Sequence, residues 1–335
     1  MPRNNLLHAI ASVLLFAAAS STAAPNVAVT LSDFAPIVRA VGGETVKIDV
    51  LMPAGADPHG FALSAAHVQA VERADIVVTG GNHHHMHFEE ELLAVIGDKR
   101  TVGWHEYSRH GARLLGVPGF PRNPHGFWMD HQNVRAIARS VADALVLAGM
   151  DSSLVAGRLS LFSDELTVAS RASRSMAEEA GVLGDTVIAA IPGVAYIATN
   201  AGLHVGHVLL KEGAGFVGGS ELLRVSDMLR TGRAIGILCP LSMKDAKPGT
   251  VARQLARDTG SRVIYVRFLS DWSESFLAQT YYNAAALTAG APGAETRTSS
   301  YPVWVVVFAA LLGVIATAVV LKVSNRPSGG TGDTA

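Results

Sequence analysis

One long helical segment, set between two regions where strands and helices alternate, constrains the fold of this chain most. Residues 151–180 show no strand signal and few helix breakers. Asp151 and Ser152 are candidate N-caps, and Gly181 is a candidate stop. On either side, short apolar runs alternate with helical patterns, which is typical of parallel sheets covered by helices. The sequence therefore predicts an α/β protein with two Rossmann-like lobes of parallel sheet, joined by one long rigid helix.

The periodicity of apolar residues predicts individual elements in both lobes. In the first lobe we expect strands at residues 27–31, 46–52 and 75–79, and helices at 65–73 and 132–147. In the second lobe we expect strands at 186–191, 194–199, 234–238 and 262–268. Helices are expected near 203–212, 221–231, 249–259 and 273–288. A ligand would bind in the cleft between the two lobes.

Both ends of the chain carry apolar segments that predict secretion and a membrane anchor. Arg3, the apolar stretch 6–19 and the small residues 20–24 form a signal peptide, with cleavage expected after Ala23. Residues 303–322 predict a C-terminal transmembrane helix, and the lysine that ends this segment places the tail in the cytoplasm. The expected parts are a signal peptide (1–23), first lobe (24–149), linking helix (150–182), second lobe (183–290), spacer (291–302), anchor (303–322) and cytoplasmic tail (323–335).

Composition limits the chemistry that this chain can perform. The net charge is −1, which gives no support to nucleic-acid binding. The chain has thirteen histidines and one cysteine, so any metal chemistry would use imidazole and not thiolate. Cys239 lies in an apolar run and is expected to be a buried thiol.

The tetrapeptide Pro-His-Gly-Phe occurs twice, around His59 and His125. Proline restricts the backbone before each histidine and glycine frees it afterwards, so each imidazole is expected at a tight loop end, as suits a metal ligand. A run of four histidines and one methionine lies between the two copies. The run is either an accessory metal site or a solvated tract without a role; its histidines are His83, His84, His85 and His87.

Three segments with their spacing resemble the metal-binding solute-binding proteins of zinc and manganese ABC importers. Asp57-Pro58-His59, followed by a helix and the strand after Asp75, is similar to the first ligand motif of that family. Residues 123–130, followed by Asn133 and 142–145, are similar to the second motif. Residues 263–271 and 281–283 resemble the last strand, its acidic ligand and the closing helix.

The resemblance implies a metal site made by His59, His125, a third ligand and Asp271. The family has His or Glu at the third position, which we expect at the end of a strand formed by 195–200, and this chain has Asn200 there. His204 and His207 follow at i and i+3 of an expected helix and could reach the same place. We favour His204, and Asn200 and His207 remain alternatives.

The family implies an extracytoplasmic, membrane-anchored receptor that captures Zn²⁺ or Mn²⁺ and delivers it to an ABC permease and its ATPase. We expect a monomer without nucleic-acid partners and without catalytic activity. A metal-binding adhesin is the alternative function. A metal-dependent hydrolase is a weaker one, because the chain has no His-Glu-x-x-His motif.

Overall fold

The computed structural model describes residues 24–56, 60–81, 86–211, 215–269 and 273–290. These residues form two four-stranded parallel sheets and a short antiparallel ribbon, with helices packed around them. The first sheet has the strand order β2-β1-β3-β4. Its strands are β1 (Asn26–Leu31), β2 (Lys47–Met52), β3 (Ile76–Val78) and β4 (Arg100–Val102). The helices of this lobe are α1 (Phe34–Gly42), α2 (Ala65–Arg73), α3 (His87–Ile96), α4 (Trp104–Arg109) and α5 (His131–Leu147).

An antiparallel ribbon extends the first lobe toward the second. It consists of β5 (Leu115–Val117) and β6 (Phe120–Asn123). A 3₁₀ turn (Phe127–Met129) follows it and leads into α5. The sequence analysis did not predict this ribbon, because its strands are only three and four residues long.

The second sheet repeats the parallel arrangement in the order β10-β9-β7-β8. Its strands are β7 (Thr186–Ala189), β8 (His204–Val208), β9 (Ile237–Pro240) and β10 (Val263–Val266). The helices of the second lobe are α7 (Ala195–Asn200), α8 (Gly219–Arg230), α9 (Lys247–Thr259) and α10 (Phe276–Thr288).

The predicted linking helix is α6 (Ser152–Glu179), a single helix of 28 residues. Asp151 caps it, since its carboxylate accepts a hydrogen bond of 2.8 Å from the backbone N–H of Leu154. Gly181, at φ +70°, follows its end. Its buried stripe packs against α1 and α5 of the first lobe and α10 of the second; the stripe is Val155, Phe162, Leu166, Ala169, Ser173 and Ala177.

The two lobes share one continuous apolar core. A single cluster of buried side chains includes Leu31 and Val78 in the first sheet and Val187, Leu238 and Val266 in the second. Each large side chain buried in this way contributes about 1.5–3 kcal/mol. We therefore expect the two lobes to move little relative to each other.

Two sequence-based assignments in the second lobe are wrong. Residues 194–199 were expected to form a strand, but Ala195–Asn200 is the helix α7. Residues 203–212 were expected to form a helix, but His204–Val208 is the strand β8. A short, fully apolar segment does not show whether it is a strand or a buried helix, and Ala195 to Ala198 are all buried.

The predicted signal peptide and C-terminal anchor lie outside the described residues. Within the described ranges, none of the helices has the length and apolar character needed to cross a membrane. Both segments therefore remain sequence-based predictions.

Candidate metal-binding site

His125 lies in the loop between β6 and the 3₁₀ turn, where Asn123 shapes the backbone. The Asn123 side chain is fully buried, and its Oδ1 accepts a hydrogen bond of 3.0 Å from the N–H of His125. Its Nδ2 donates to the carbonyl of Pro192 in the second lobe at 2.9 Å. One asparagine thus fixes the turn that carries His125 and attaches this turn to the opposite lobe.

Tyr196 of α7 makes a second connection between this loop and the second lobe. Its hydroxyl donates to the carbonyl of Asn123 at 2.6 Å and accepts from the N–H of Leu115 at 2.9 Å. Burial raises the pKa of Tyr196 far above its usual value, so the hydroxyl keeps its proton.

The imidazole of His125 packs edge-on against Phe120, with ring centroids 5.7 Å apart.

Gly126 lets the two lobes approach each other directly beside His125. Its φ of +75° is a conformation that favours glycine. A Cβ at this position would lie 2.6 Å from the carbonyl oxygen of Gly193 in the second lobe. A Cβ on Gly193 would in turn lie 2.5 Å from the ring of Phe268. Two glycines therefore make a contact that larger residues would prevent.

The buried carboxylate of Asp33 joins the segments that carry two of the predicted ligands. Asp33 follows β1 and is 3% exposed. Its Oδ2 accepts hydrogen bonds from Trp128 Nε1 at 3.0 Å and from the N–H of Leu269 at 3.1 Å. Trp128 lies three residues after His125, and Leu269 lies two residues before Asp271. The carboxylate therefore helps to hold both segments in place.

Leu269 also contacts the segment that leads to His59. Its carbonyl accepts a hydrogen bond of 3.1 Å from the N–H of Gly55. Leu269 has a φ of +51° and is the one non-glycine residue with positive φ in the described part of the chain. Such a conformation costs about 1–3 kcal/mol and persists where surrounding contacts enforce it. Leu269 is the last described residue before 270–272, the segment that contains Asp271.

Two of the predicted ligands, His59 and Asp271, lie outside the described residues, as do His83, His84 and His85. Gly55, four residues before His59, donates a hydrogen bond to Leu269, two residues before Asp271. Leu269 in turn shares the Asp33 carboxylate with Trp128, three residues after His125. Within the described ranges alone, no three His, Cys, Asp or Glu side chains form a group that could hold a metal ion. A complete site would need side chains from the three loops together.

Asn200 uses both polar atoms of its side chain in a contact between the lobes. Its Nδ2 donates to the carbonyl of Met129 at 2.7 Å, and its Oδ1 accepts from the N–H of His131 at 3.2 Å. Asn200 ends a helix instead of the expected strand, and it joins the second lobe to the start of α5. This arrangement gives Asn200 a structural role.

His204 and His207 do not share a helical face, because they lie on the edge strand β8. His204 pairs with Thr186 at the beginning of β7, and His207 pairs with Ile188. The contact with Gly126 and Phe268 occurs beyond the other end of β7, at Gly193. At about 3.3 Å per residue, His204 is about 10 Å or more from that end. The residues that follow β7, from Ala190 to Val194, are buried and have no ligating side chains.

The last residues of the histidine run, Met86 and His87, lie beside the carboxyl-terminal edge of the first sheet. The side chain of Met86, which is 1% exposed, packs against Gly80, which follows β3. Phe88, just after the run, contacts Phe61, just after His59, with ring centroids 5.1 Å apart. The described end of the run therefore lies next to the segment that follows His59. His87 begins α3, and its exposed ring lies 3.7 Å from the carboxylate of Glu90.

Glu89 has a role that the sequence analysis missed. Its side chain is 1% exposed, although it belongs to a run of three glutamates at the start of α3. Its Oε1 accepts a hydrogen bond of 2.6 Å from the N–H of Gly80 and another from the hydroxyl of Thr30. Glu89 thus attaches the helix after the histidine run to the ends of β1 and β3. The sequence signal for its burial was that Glu89 directly follows Phe88 and lies three residues before Leu92, both of them apolar.

A comparison with protein families identifies the chain. The family model described as zinc-uptake complex component A, periplasmic, matches residues 27–290. The chain belongs to this family. Its members are solute-binding proteins that carry metal ions, and the chain is accordingly not an enzyme.

Solved structures show the same fold. A crystal structure of ZnuA aligns with a TM-score of 0.65 and 20% identity, covering 78% of this chain and 98% of that chain. A ZnuA deletion mutant with zinc bound aligns with a TM-score of 0.63 and 22% identity, covering 78% and 98%. FpvC from Pseudomonas aeruginosa, in complex with Mn²⁺, aligns with a TM-score of 0.62 and 16% identity, covering 79% and 97%. A search of curated proteins gives no significant match.

Proposed function

We propose that this protein is the extracytoplasmic solute-binding subunit of an ABC importer and that it captures a divalent metal ion between its lobes. His59 and His125 from the first lobe and Asp271 from the second are the proposed ligands. The observation that carries this proposal is the contact among their neighbours. Gly55 bonds to Leu269, Asp33 joins Leu269 to Trp128, and Gly126 touches the second lobe.

The position of the third ligand is assigned to an imidazole of the histidine run, in preference to Asn200 and His204, and His207 is the second candidate. The described end of the run, at Met86, packs against Gly80, and Phe88 contacts Phe61, two residues after His59. Asn200 already uses both polar side-chain atoms, and His204 lies at the far end of its strand. A site with imidazole and carboxylate donors suits Zn²⁺, which binds more tightly than Mn²⁺ to most such sites.

Delivery to a permease and its ATPase follows from the solute-binding role. The shared core and the long helix α6 limit movement between the lobes, so the loops around the metal would be the part that responds to loading. The predicted signal peptide would direct secretion, and the predicted anchor at 303–322 would then hold the protein at the outer face of the membrane.

Metal titration tests the proposal. The metal-free full chain would be titrated with Zn²⁺ and with Mn²⁺, beside the variant His59→Ala/His125→Ala, in which the histidine run is intact. We expect tight binding of one Zn²⁺ per chain, weakened at least a hundredfold in the variant. Equal affinity in both proteins would refute the cleft site. The triple variant His83→Ala/His84→Ala/His85→Ala tests the third ligand, which is assigned to the histidine run. We expect this variant to weaken zinc binding by a smaller factor than His59→Ala/His125→Ala does.

A further inference from the structure

Two charged side chains form an ion pair across the segment that contains Asp271. Arg267 directly follows β10, and Glu274 lies two residues before α10. The Arg267 guanidinium pairs with the Glu274 carboxylate, although the two residues are seven positions apart in sequence. Their side chains are 28% and 39% exposed, so water screens the pair only in part. The ion pair therefore ties together the two sides of this segment.

Helix α10 holds the arginine of this pair in place. The side chain of Asn283 is buried; its Oδ1 accepts from the N–H of Arg267 at 2.7 Å, and its Nδ2 donates to the carbonyl of Arg267 at 3.0 Å. The buried Gln279 donates to the same carbonyl at 3.3 Å. The guanidinium lies 4.1 Å from the ring centroid of Tyr282, which is a cation–π contact. One helix thus fixes both the backbone and the side chain of Arg267.

The chain is held on both sides of Asp271, but by different partners. On the preceding side, Leu269 is hydrogen-bonded to two residues of the first lobe. On the following side, Ser275 caps α10 and Glu274 pairs with Arg267. The ion pair therefore connects the chain after Asp271 to the end of the strand before it. Such a closure reduces the number of conformations open to the segment between its ends.

We propose that Arg267 and Glu274 form a clasp that positions Asp271 for the metal ion and slows release of the ion. The two are positioning residues, and neither is a ligand. The proposal rests on the proposed function, because it takes Asp271 to be a ligand. A carboxylate whose segment is already ordered loses less conformational freedom when it binds. When the clasp is open, Asp271 would have to be ordered at the moment of binding, and affinity would fall.

The expected effect is modest. A partly exposed ion pair contributes little by itself, and the contact with Tyr282 adds to it. We expect Glu274→Gln, which removes the charge and keeps the size of the side chain, to weaken zinc binding by about three- to tenfold. Release of zinc should become faster by a similar factor. The loss should be smaller than that caused by removing a ligand.

Chelator competition with the full chain would measure the affinity for Zn²⁺, and mixing the zinc-loaded chain with excess chelator would measure its release rate. The matched control is the ion pair between Arg233 and Asp227, which joins α8 to the residues that follow it. This pair also consists of an arginine and a carboxylate in the second lobe. Asp227→Asn should leave both the affinity and the release rate at their wild-type values.

A double-mutant cycle with Asp271 separates positioning from a general structural effect. In the Asp271→Ala chain there is no carboxylate to position, so adding Glu274→Gln should cause no further loss of zinc affinity. Likewise, Arg267→Gln and Glu274→Gln together should weaken binding no more than the more damaging of the two alone. Wild-type affinity and release rate in Glu274→Gln would overturn the proposal. An equal loss from Glu274→Gln with and without Asp271 would also overturn it.

The same set of variants distinguishes failure of the clasp from failure of the metal site. If Asp271→Ala weakens zinc binding strongly and Glu274→Gln does not, the clasp is refuted and the site stands. If Asp271→Ala binds zinc with wild-type affinity, the ligand assignment is refuted, and the clasp with it.

Discussion

The two copies of Pro-His-Gly-Phe provide a matched pair of substitutions, because their glycines have different surroundings. Gly126 has a φ of +75°, and a Cβ there would lie 2.6 Å from the backbone oxygen of Gly193. Gly60 does not have a positive φ, and no described atom lies within 4 Å of its Cβ position. Alanine should therefore be damaging at Gly126 and tolerated at Gly60.

The expected cost follows from two terms. An alanine in the left-handed conformation costs about 1–2 kcal/mol. Overlap with a backbone that cannot move away costs about 1–3 kcal/mol more. Together Gly126→Ala should lower the free energy of unfolding by about 2–5 kcal/mol. In a protein of this size, each kcal/mol lowers Tm by about 2–4 °C, so a fall of at least about 4 °C is expected.

The same substitution should weaken metal binding. Part of the overlap can be relieved by separating the lobes, which would move His125 away from Asp271. If only 1.4 kcal/mol of the cost appears in binding, affinity falls tenfold. Calorimetric unfolding and zinc titration of both variants would measure the two effects. Wild-type stability and affinity in Gly126→Ala, or equal damage from Gly60→Ala, would refute the reasoning.

Substitutions at three further positions test other parts of the site. Asp33→Ala should leave the buried donors of Trp128 and Leu269 without their acceptor, at about 1–3 kcal/mol each, whereas Asp33→Asn keeps an oxygen and should recover part of the stability in chemical unfolding. Burial, with a smaller contribution from Arg135, lowers the pKa of His131 from 6.5 to about 4. The unfolded chain therefore binds more protons between these values, and the metal-free protein should lose at most about 3 kcal/mol of stability as pH falls from 6.5 to 4. His131→Gln should flatten that dependence in unfolding experiments, and an unchanged slope would contradict this explanation. His204→Ala should leave the zinc affinity within about twofold of the wild type, and a tenfold loss in titration would restore it as a ligand.

Elements with clear periodicity and clear end signals could be predicted from the sequence. The bounds of α2 were predicted as 65–73, and α6 was predicted with Asp151 as its cap. In these segments, local preference and tertiary packing agree. The prediction failed between Pro192 and Val208, where a short buried helix and an edge strand were interchanged.

The polar residues that support the site could not be predicted in the same way. Asp33 bonds to partners 95 and 236 residues away in sequence. Asn123 reaches across 69 residues to Pro192. A local pattern does not indicate such partners, because they are determined by the packing of whole elements. His59, His125 and Asp271 were predicted as ligands from their motifs, and the hydrogen bonds of residues near them bring the described parts of these segments together.

The position of the bound metal tests the central claim most directly. Crystals of the full chain grown with one equivalent of Zn²⁺ would be measured on both sides of the zinc absorption edge, so that anomalous scattering locates the ion. We predict one strong peak within bonding distance of His59, His125 and Asp271, at about 2.0–2.2 Å from nitrogen and oxygen ligands. A peak bound only by the histidine run, with none between the lobes, would contradict the account.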